Sequence, residues 1–416
     1  MAPEMDELNK RRVERQIRRQ KAAAQKRRKK TMITLLAIAM MIAGGVGLFF
    51  VLRAEEEKEP AQEQVTAATD AVSEDATVIQ LVAAGDVNVS DNIVGSGGLE
   101  YDYTETFLDI AHLLAEGDIT VVNFEGNLTG SPYGSASHSA PQNLMEQLSR
   151  SGVDLVQLAN SYSINQGISG LQATIRGVQE AGMEPLGVYA DERAYKAGKG
   201  YTIREIQGIK IAFVAFTKGM DGMTLPQGSE HCVNVLYKDY DSTYQSIDRD
   251  NINRIMDNVE AENPDLTVAM LHWGSEYNDT ISKTQTAIVE LLQSRGVDAI
   301  LGTHPHYVQK MTYDPETGFF VAYSLGDLLS DGQRSGTEYS VILKLDITKQ
   351  NGTTKITGYS FTPIFTVAER GGTLKSVRIA EAMTAYDGNY ILKVQESTYN
   401  AMIYALERID ARTKGE

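Results

Sequence analysis

The chain has 416 residues, of which 42% are apolar and 23% are charged, a composition typical of a protein with a folded core. Residues 1–30 contain 12 Lys or Arg against four Asp or Glu, a net charge of +8, so the total of −16 leaves −24 on the other 386 residues. A body this acidic argues against nucleic-acid binding, because the phosphate backbone would be repelled. The single cysteine, Cys232, excludes an intrachain disulfide.

The N-terminal segment predicts a membrane anchor. Residues 1–31 form a basic tail, and residues 32–52 are 21 residues without a charge, enough as a helix to span a hydrocarbon core of about 30 Å. Because Lys and Arg precede this run and Glu follows it, we expect a single-pass plasma-membrane protein with a cytoplasmic N-terminus and an extracellular main domain. A cleavable signal peptide is the alternative, but its apolar region would be shorter. Residues 53–77 are acidic and poor in large apolar residues, which indicates a flexible linker.

Beyond the linker, short apolar runs alternate with helical patterns, which is typical of an α/β fold. Strands are predicted for VIQLVAAG, ITVVNF, VDLVQLA, KIAFVAF, LTVAMLHW, VDAILG and FFVAYSLG. Helices are predicted over 104–116, 142–151, 170–182, 244–261, 283–295 and, at the C-terminus, 395–412. Residues 78–345 are assigned to one domain, and residues 346–416 are expected to pack on it as strands and a helix. The runs GVDLVQLANS and GVDAILGTHP are alike and indicate two α/β units of one kind.

Polar side chains follow five of these strands at the carboxyl end, the edge of an α/β sheet where ligands bind. They are Asp86, Asn123 with Glu125, Asn160, His272, and His304 with His306. Carboxylate, amide and imidazole together are a mixed oxygen and nitrogen ligand set, which suits Mn²⁺, Zn²⁺ or Fe²⁺ better than Ca²⁺. The sequence therefore predicts a site for one or two divalent transition-metal ions.

Each of these residues also has a purely structural interpretation. Asp86 fits a cap of the segment that follows it, and Asn160 fits a turn, since Asn tolerates left-handed backbone. Asn123 fits a loop support, and His272 beside Trp273 fits a buried histidine with satisfied hydrogen bonds. Only their recurrence at matching strand ends favours the metal site. The remaining histidines, His112, His138 and His231, are expected to have no part in it.

These residues lie in stretches that resemble a known family. GDVN, VVNFEGNLT, GVDLVQLANSYSINQGISGL, HWGSEY, GVDAILGTHPHYVQ and YSLGD, between about residues 79 and 329, are similar to the CapA family of poly-γ-glutamate capsule synthesis, within the calcineurin-like metallophosphatase superfamily. The resemblance implies two facing mixed β-sheets flanked by helices, and a domain anchored outside the membrane. It also implies a metal-binding role for Asp86, Glu125, Asn160, His272, His304 and His306.

The chain departs from the family pattern at two places. Where the family reads A-N-N-H-S-x-D-x-G, this chain reads ANSYSINQG, so Tyr162 replaces a histidine that acts beside the metals and Asn165 replaces an acid. A phenol with a pKa of about 10 is a weak acid and never a cation. Asp327 stands where the family reads asparagine in YSLGN. We therefore treat Tyr162 and Asn165 as the candidate catalytic positions, and Asn123 and Asp327 as supporting residues.

The sequence leaves more than one class of function open. The expected role is biosynthesis, export or anchoring of an anionic cell-surface polymer, with membrane polymer-synthesis subunits as partners and an anionic polymer or a phosphoester-like group as ligand. Metal-dependent hydrolysis is one way to perform that role. The alternative is a catalytically impaired binding or scaffolding subunit of a polymer-synthesis complex, and a small-ligand receptor would use the same cleft.

Overall fold

The computed structural model describes residues 65–66, 76–369, 371–387 and 395–415. The predicted cytoplasmic tail, the predicted anchor over 32–52 and most of the predicted linker lie outside these residues. Among the residues that are described, no helix is both long enough and apolar enough to cross a membrane. Two residues of the predicted linker, Val65 and Thr66, form a short strand that pairs with Tyr359 and Gly358.

The chain alternates between strands and helices. The strands are β1 (Val65–Thr66), β2 (Thr77–Asn88), β3 (Ile119–Glu125), β4 (Leu155–Gln157), β5 (Glu184–Leu186), β6 (Tyr201–Ile206), β7 (Ile209–Thr217), β8 (Leu266–His272), β9 (Ala299–Thr303), β10 (Met311–Tyr313), β11 (Phe320–Ala322), β12 (Asp327–Leu329), β13 (Tyr339–Gln350), β14 (Thr353–Ala368) and β15 (Leu374–Arg378). The helices are α1 (Asp91–Ser96), α2 (Thr104–Phe107), α3 (Ala111–Ala115), α4 (Gln142–Arg150), α5 (Gly167–Glu180), α6 (Glu192–Gly198), α7 (Arg249–Glu262), α8 (Lys283–Ser294), α9 (Ile379–Asp387) and α10 (Glu396–Lys414).

These strands form two mixed sheets within the described part of the chain. The first has nine strands in the order β1-β14-β13-β2-β3-β4-β5, with β12 beside β2 and β15 beside β14. The second has six strands in the order β10-β11-β9-β8-β7-β6. Each sheet has a parallel centre, β2 to β5 in the first and β11, β9, β8 and β7 in the second. The predicted α/β class with two mixed sheets is confirmed.

Four aspartates align the parallel strands. Each directly precedes a strand, and its side chain accepts a hydrogen bond from a backbone N–H of the neighbouring strand: Asp118 from Gln80 (2.8 Å), Asp154 from Thr120 (2.8 Å), Asp265 from Lys210 (2.7 Å) and Asp298 from Thr267 (2.8 Å). Asp154 and Asp298 belong to the two similar runs GVDLVQLANS and GVDAILGTHP, so that likeness reflects one local arrangement used in both sheets. These bonds fix the register between neighbouring parallel strands. The carboxyl ends of the strands therefore reach a common edge of the sheet.

The core follows from alternation along the strands. In β2, Leu81 and Ala83 face the layer between the two sheets, where they join Phe213 of β7. Val82 and Ala84 point the other way, into the layer that packs under helices α4 and α5. Burying each large apolar side chain contributes about 1.5–3 kcal/mol. A strand buried on both faces explains why β3 and β8 read as nearly continuous apolar runs.

Most predicted helices lie close to the observed ones, with two differences. The predicted helix over 104–116 is two short helices, α2 and α3, separated by a turn at residues 108–110. The helix predicted from residue 244 begins at Arg249 instead, because the Asp248 side chain caps it by accepting a hydrogen bond from the backbone N–H of Asn251. The sequence does not predict the short helix α6, which carries no buried face that periodicity would reveal.

Candidate metal centre

Carboxylates and histidines from both sheets meet where the parallel strands end. They are Asp86 in β2, Glu125 at the end of β3, His272 at the end of β8, His304 and His306 directly after β9, and Asp327 at the start of β12. All six are buried, and the most accessible of them, Asp327, is only 6% exposed. The side chains predicted from the strand ends therefore do converge, with Asp327 among them.

The first sheet brings two of these carboxylates together through a close backbone contact at Gly85. A Cβ at this position would lie 1.7 Å from the carbonyl oxygen of Gly326, so a side chain does not fit. The contact lets the N–H of Asp86 donate to that carbonyl at 3.0 Å. It also sets Asp327 in register with Asp86 across the pairing of β12 with β2.

One candidate ligand group consists of Asp86, His306 and Asp327, whose ligand atoms lie within 4.8 Å of one another. His306 Nδ1 is 2.8 Å from Asp327 Oδ1 and 3.5 Å from Asp86 Oδ2. The amide nitrogen of Asn88 lies 3.0 Å from the same ring nitrogen. Two carboxylates thus bracket one imidazole nitrogen.

The second candidate group consists of Glu125, His272 and His304. Glu125 Oε1 lies 2.8 Å from His272 Nε2, yet this buried oxygen has no hydrogen-bond partner among the described residues. Neither ring nitrogen of His304 has one either, although both are buried. Buried polar atoms are nearly always partnered, and an orphaned one can mark a position where an ion binds. The orphaned nitrogens and oxygen are the donor atoms that a divalent transition metal takes, so the residues fit such an ion.

A third candidate group links the other two. It contains His304, His306 and Glu276, the last on the loop after β8 and exposed. Glu276 is not among the predicted ligands, although it lies in the HWGSEY stretch that carries the family resemblance. Since His304 and His306 are shared between groups, the arrangement has the form of a centre for two neighbouring ions.

The backbone at the two histidines lies in the left-handed region, with φ of 91° at His304 and 59° at His306. Such conformations cost about 1–3 kcal/mol for a residue with a side chain and persist where surrounding contacts hold them. Here the His304 N–H donates to Asp86 Oδ2 at 3.0 Å, and the carbonyl of Pro305 accepts from Tyr277 at 2.9 Å. The HPH sequence therefore forms a strained turn held directly against a candidate ligand.

Burial governs the protonation of the cluster. It raises the pKa of Asp86 to about 6, helped by the charge of Glu125, and it raises the pKa of Glu125 and of Asp327 to about 7 each. For His306, burial alone would lower the pKa, but the neighbouring carboxylates, Asp327 first, outweigh it and raise that pKa to about 10. The protonated His306 ring is therefore one positive partner of these carboxylates, and a divalent ion bound at His306 would take its place by displacing the ring proton.

The other two histidines of the cluster, His272 and His304, have pKa values below the ordinary value of a histidine. Burial lowers the pKa of His272 to about 3, and it lowers the pKa of His304 well below the usual range. Their rings lie 4.4 Å apart between centroids. Neutral imidazole is the form that coordinates a metal, so both side chains are in the state that binding needs.

The two asparagines form a network beside the ligands. Asn123 donates to Asp86 Oδ1 at 2.6 Å and accepts from Asn160 at 3.2 Å. Asn160 also donates to the Phe124 carbonyl at 2.6 Å and accepts from the backbone N–H of Tyr162 at 3.1 Å. Asn123 thereby orients the Asp86 carboxylate, as its supporting role requires. The Asn160 amide is engaged in the same network, so its oxygen has one lone pair left for an ion.

The two candidate catalytic positions differ in placement. Tyr162 lines a cleft of about 340 Å³ that also contains His306, Asp327 and Arg334. Burial, with the charges of Glu125 and Glu276, raises the pKa of Tyr162 above its ordinary value. Asn165 is not among the cleft residues, and its side-chain oxygen accepts from Gln166 at 3.0 Å. The structure therefore brings Tyr162 to the site and leaves Asn165 outside the lining.

A larger groove lies elsewhere on the molecule. It has a volume of about 670 Å³ and is lined by residues of α5, α6 and β6. None of the candidate ligands reaches it. The smaller cleft is therefore the better candidate for chemistry, because the buried His306 and Asp327 line its wall.

Comparison with known proteins gives a consistent result over the part of the chain that carries this cluster. The family model described as bacterial capsule synthesis protein PGA_cap matches residues 80–332. The chain is 27% identical over 220 residues to the capsule biosynthesis protein CapA of Bacillus anthracis, covering 52% of this chain and 49% of that protein. It is 24% identical over 243 residues to the PGA biosynthesis protein CapA of Bacillus subtilis (strain 168), covering 57% and 58%. The chain thus spans about half the length of these curated relatives.

Two solved structures are similar in fold. One is the calcineurin-like phosphoesterase YfkN from Bacillus subtilis, with 16% identity and a TM-score of 0.45 over 80% of this chain and 99% of that one. The other is a phosphatase from Mycoplasma pneumoniae, with 14% identity and a TM-score of 0.43 over 70% of this chain and 94% of that one.

Proposed function

Because the chain belongs to the bacterial capsule synthesis protein family PGA_cap, we propose that it acts in the biosynthesis, export or anchoring of an anionic polymer at the bacterial cell surface. Poly-γ-glutamate is the polymer type that the names of its relatives support. The proposed functional site is the cleft beside the candidate metal ligands, which we call the metal cleft. The candidate ligands all lie within residues 80–332, which the family model matches.

The main support for a metal site comes from His304. Both of its ring nitrogens are buried and lack a hydrogen-bond partner among the described residues. Asp86, His306 and Asp327 would hold one ion, and Glu125, His272 and His304 the other, with Glu276 beside them. A divalent transition metal bound there would supply a Lewis acid that polarises a phosphoryl or acyl oxygen.

The chain's own residues do the positioning. Asn123 holds the Asp86 carboxylate at 2.6 Å, so its second oxygen stays free to accept from the His304 backbone. Asp327 fixes the His306 ring by accepting a hydrogen bond from Nδ1 at 2.8 Å, and the Asn88 amide lies 3.0 Å from the same nitrogen. The cleft beside them can take up a substrate from solvent, while the metal-binding side chains themselves are buried. Hydrolysis of a phosphoester or an amide is the reaction class that this arrangement favours.

A second candidate function is a binding or scaffolding subunit without turnover, and Tyr162 is the observation that favours it. Its pKa lies above the ordinary value of a phenol, so the side chain is neutral at physiological pH and a poor proton donor to a leaving group. General acid catalysis contributes about 100- to 10,000-fold where it operates. The loss of a histidine at this position would therefore leave binding largely intact while lowering turnover.

Membrane anchoring is part of the proposal. The uncharged run over 32–52 and its basic flank support a retained anchor with the described domain outside the cell. Anchoring there would hold the cleft next to the membrane subunits that make or export the polymer, which we propose as partners.

One experiment separates the two candidate functions. The metal-loaded protein is assayed on an aryl phosphoester and on a γ-glutamyl amide, beside the variant Tyr162→His. A metal-dependent hydrolase turns over one of these substrates, and the histidine variant increases the rate. A protein that binds metal but turns over neither substrate, with or without the replacement, is a binding subunit. Absence of metal uptake would contradict both forms of the metal proposal.

A further inference from the structure

His138 lies against Tyr162 at the wall of the metal cleft. The two rings are stacked, with centroids 3.8 Å apart and planes inclined by 14°. Both side chains line the cleft together with His306 and Asp327. The sequence predicts no functional part for His138, and the fold instead brings its imidazole to the position where the chain carries a phenol.

The chain holds His138 in place by backbone contacts to the turn that follows Glu125. Its φ is 48°, in the left-handed region, and its carbonyl accepts from the backbone N–H of Asn127 at 2.6 Å. Gly126 makes this approach feasible, because a Cβ there would lie 2.2 Å from the Val89 side chain and 3.1 Å from the His138 carbonyl. The loop that bears His138 is thus hydrogen-bonded to Asn127, two residues after the candidate ligand Glu125. Its backbone at His138 is strained. Such strain is typical of functional sites.

One nitrogen of the His138 ring lacks a partner. Nδ1 is buried and has no hydrogen-bond partner in the described part of the chain. Burial lowers the pKa of His138, against a hydrogen bond to the Val89 backbone that acts the other way. The ring is therefore neutral near pH 7, and its single N–H donates to the Val89 backbone carbonyl. The unpartnered Nδ1 then presents a lone pair, which can accept a hydrogen bond. Tyr162 occupies one face of the ring, so Nδ1 at the ring edge is the polar atom that His138 has left for a ligand in the cleft.

The same cleft also contains an arginine that forms no ion pair with a carboxylate of the described chain. The guanidinium of this residue, Arg334, lies over the Tyr277 ring, 4.0 Å from its centroid, and both residues line the cleft. A guanidinium held by an aromatic face, with its N–H groups free at the edge, suits an oxyanion.

We propose that His138 is a substrate-contacting residue of this cleft, where its Nδ1 accepts a hydrogen bond from the hydroxyl of an oxyacid anion that Arg334 attracts, while Tyr162 fixes the plane of the ring. The chemical class of the ligand is a phosphate group that keeps one hydroxyl, as hydrogen phosphate does near pH 7. This inference rests on the proposed function of the neighbouring metal cluster, and it adds a contact that the strand-end residues do not supply.

The test measures the NMR signal of the His138 ring. The full-length protein, in detergent micelles and labelled with ¹³C-histidine, has only six histidines, and the His138→Gln variant assigns one ring signal. Inorganic phosphate is then titrated into metal-loaded and metal-free samples. We expect the His138 signal to shift with saturation, while the signals of His112 and His231, which lie outside the cleft lining, stay unchanged. A His138 signal that ignores phosphate in a protein that has bound metal overturns the proposal and leaves the metal function standing.

Two variants extend the test to affinity. His138→Phe keeps the stacked ring and removes the nitrogens, and it should weaken phosphate binding by about tenfold, the effect of one lost hydrogen bond. Exchanging the rings, His138→Phe together with Tyr162→His, returns an imidazole to the cleft and should recover most of that loss. His231→Phe is the matched control and should bind as the wild type does.

The outcomes separate the two proposals. Unchanged phosphate affinity in His138→Phe, with wild-type circular dichroism and metal content, overturns the role of His138. If that variant fails to fold, the smaller apolar variant His138→Leu takes its place, and the same result overturns the role. A wild-type protein that takes up no metal, yet whose His138 signal still responds to phosphate, refutes the metal function and retains the oxyanion contact. No metal uptake and no response overturns both.

Discussion

His306 Nδ1 lies 2.8 Å from Oδ1 of Asp327, and both side chains are buried at the junction of the two sheets. Asp327 stands where the family resemblance implies asparagine, and it is a third carboxylate beside the candidate metal ligands. The pKa of His306 rises to about 10 because burial, which lowers it, is outweighed by Asp327 and the other carboxylates. Asp327 therefore adds a carboxylate beside the site, and an ion that binds His306 would have to displace the ring proton that this carboxylate stabilises.

Asp327→Asn should weaken metal binding. Replacing a carboxylate that contacts or orients a ligand typically reduces metal affinity by about 10- to 100-fold. Competition of the metal-loaded protein with a chromophoric chelator measures this directly. The control is Asp314→Asn, on the turn between β10 and β11 and away from the cluster. Unchanged metal affinity in Asp327→Asn would mean that the Asp327 carboxylate does not contribute to metal binding and only contacts His306 in the metal-free protein.

The purified protein should contain about one or two divalent transition-metal ions per chain. His304→Ala should lower that content, because the two nitrogens that have no partner in the described chain are removed. Elemental analysis after loading with Mn²⁺ or Zn²⁺ measures the content, and His231→Ala is the matched control. Thermal unfolding gives a second measure, since an ion at about 100 times its Kd adds about 2.7 kcal/mol. Wild-type protein that stays metal-free after loading is the result that contradicts this expectation.

Gly85→Ala should disrupt the site through the backbone that holds two of its carboxylates. The new Cβ would lie 1.7 Å from the Gly326 carbonyl, so β2 and β12 must separate, and Asp86 and Asp327 move with them. We expect a loss of at least about 2 kcal/mol in the free energy of unfolding, in the range of overpacked cores, together with weaker metal uptake. Gly95→Ala is the control, because a Cβ on that exposed helical glycine meets nothing within 4 Å. Urea unfolding of both variants decides the point, and equal stabilities would refute the close contact.

Asp298→Asn should stabilise the protein increasingly as pH rises. Burial raises the pKa of Asp298 to about 6, above the value of about 4 in an unfolded chain. A raised carboxyl pKa contributes stability that is present below about pH 4 and is lost as pH rises through about 6. The charged form is therefore penalised at about pH 8, on the order of 1–3 kcal/mol, and asparagine removes that penalty while still accepting from Thr267. Urea unfolding at about pH 5 and about pH 8 measures the difference.

Asp265→Asn is the matched comparison with the opposite sign. Burial would raise the pKa of Asp265, but hydrogen bonds from the Lys210 backbone and from Lys349 outweigh it, so the pKa is lowered. Its stabilising contribution is present above the unfolded pKa and is lost as pH falls below it. Asp265→Asn should thus destabilise the protein at about pH 8 and have a smaller effect near pH 3. The same pH trend in both variants would show that the two strand-start aspartates do not differ in environment.

The anchor should be retained with its N-terminus inside the cell. Protease added to intact protoplasts should digest the chain after residue 54 and leave the basic tail protected, because the +8 flank keeps it on the cytoplasmic side. Immunoblotting of epitopes at the two ends measures this. A mature N-terminus beyond residue 52 would instead indicate cleavage of a signal peptide.

Most of the fold and much of the candidate site can be predicted from the sequence, because strand starts and ends are marked by residues that are close together in the chain. The apolar runs and their aspartates mark where strands begin, and the polar residues mark where they end, so the carboxyl edge can be located without coordinates. This reasoning identifies Asp86, Glu125, His272, His304 and His306. Two facing mixed sheets follow from the family resemblance and are confirmed by the strand pairing.

Side-chain alternation and strand boundaries depend on neighbours along the chain, so the residue types at each strand end can be read from the amino-acid sequence alone. Which loop residues join them depends on the folded chain. Glu276 comes to the shared histidines, His138 stacks on Tyr162, and Asn165 turns away to Gln166. These placements depend on loops whose course is set by contacts between distant segments, such as the Asn127 bond that holds His138 with a φ of 48°. No periodicity encodes such contacts, and they decide which side chains line the cleft.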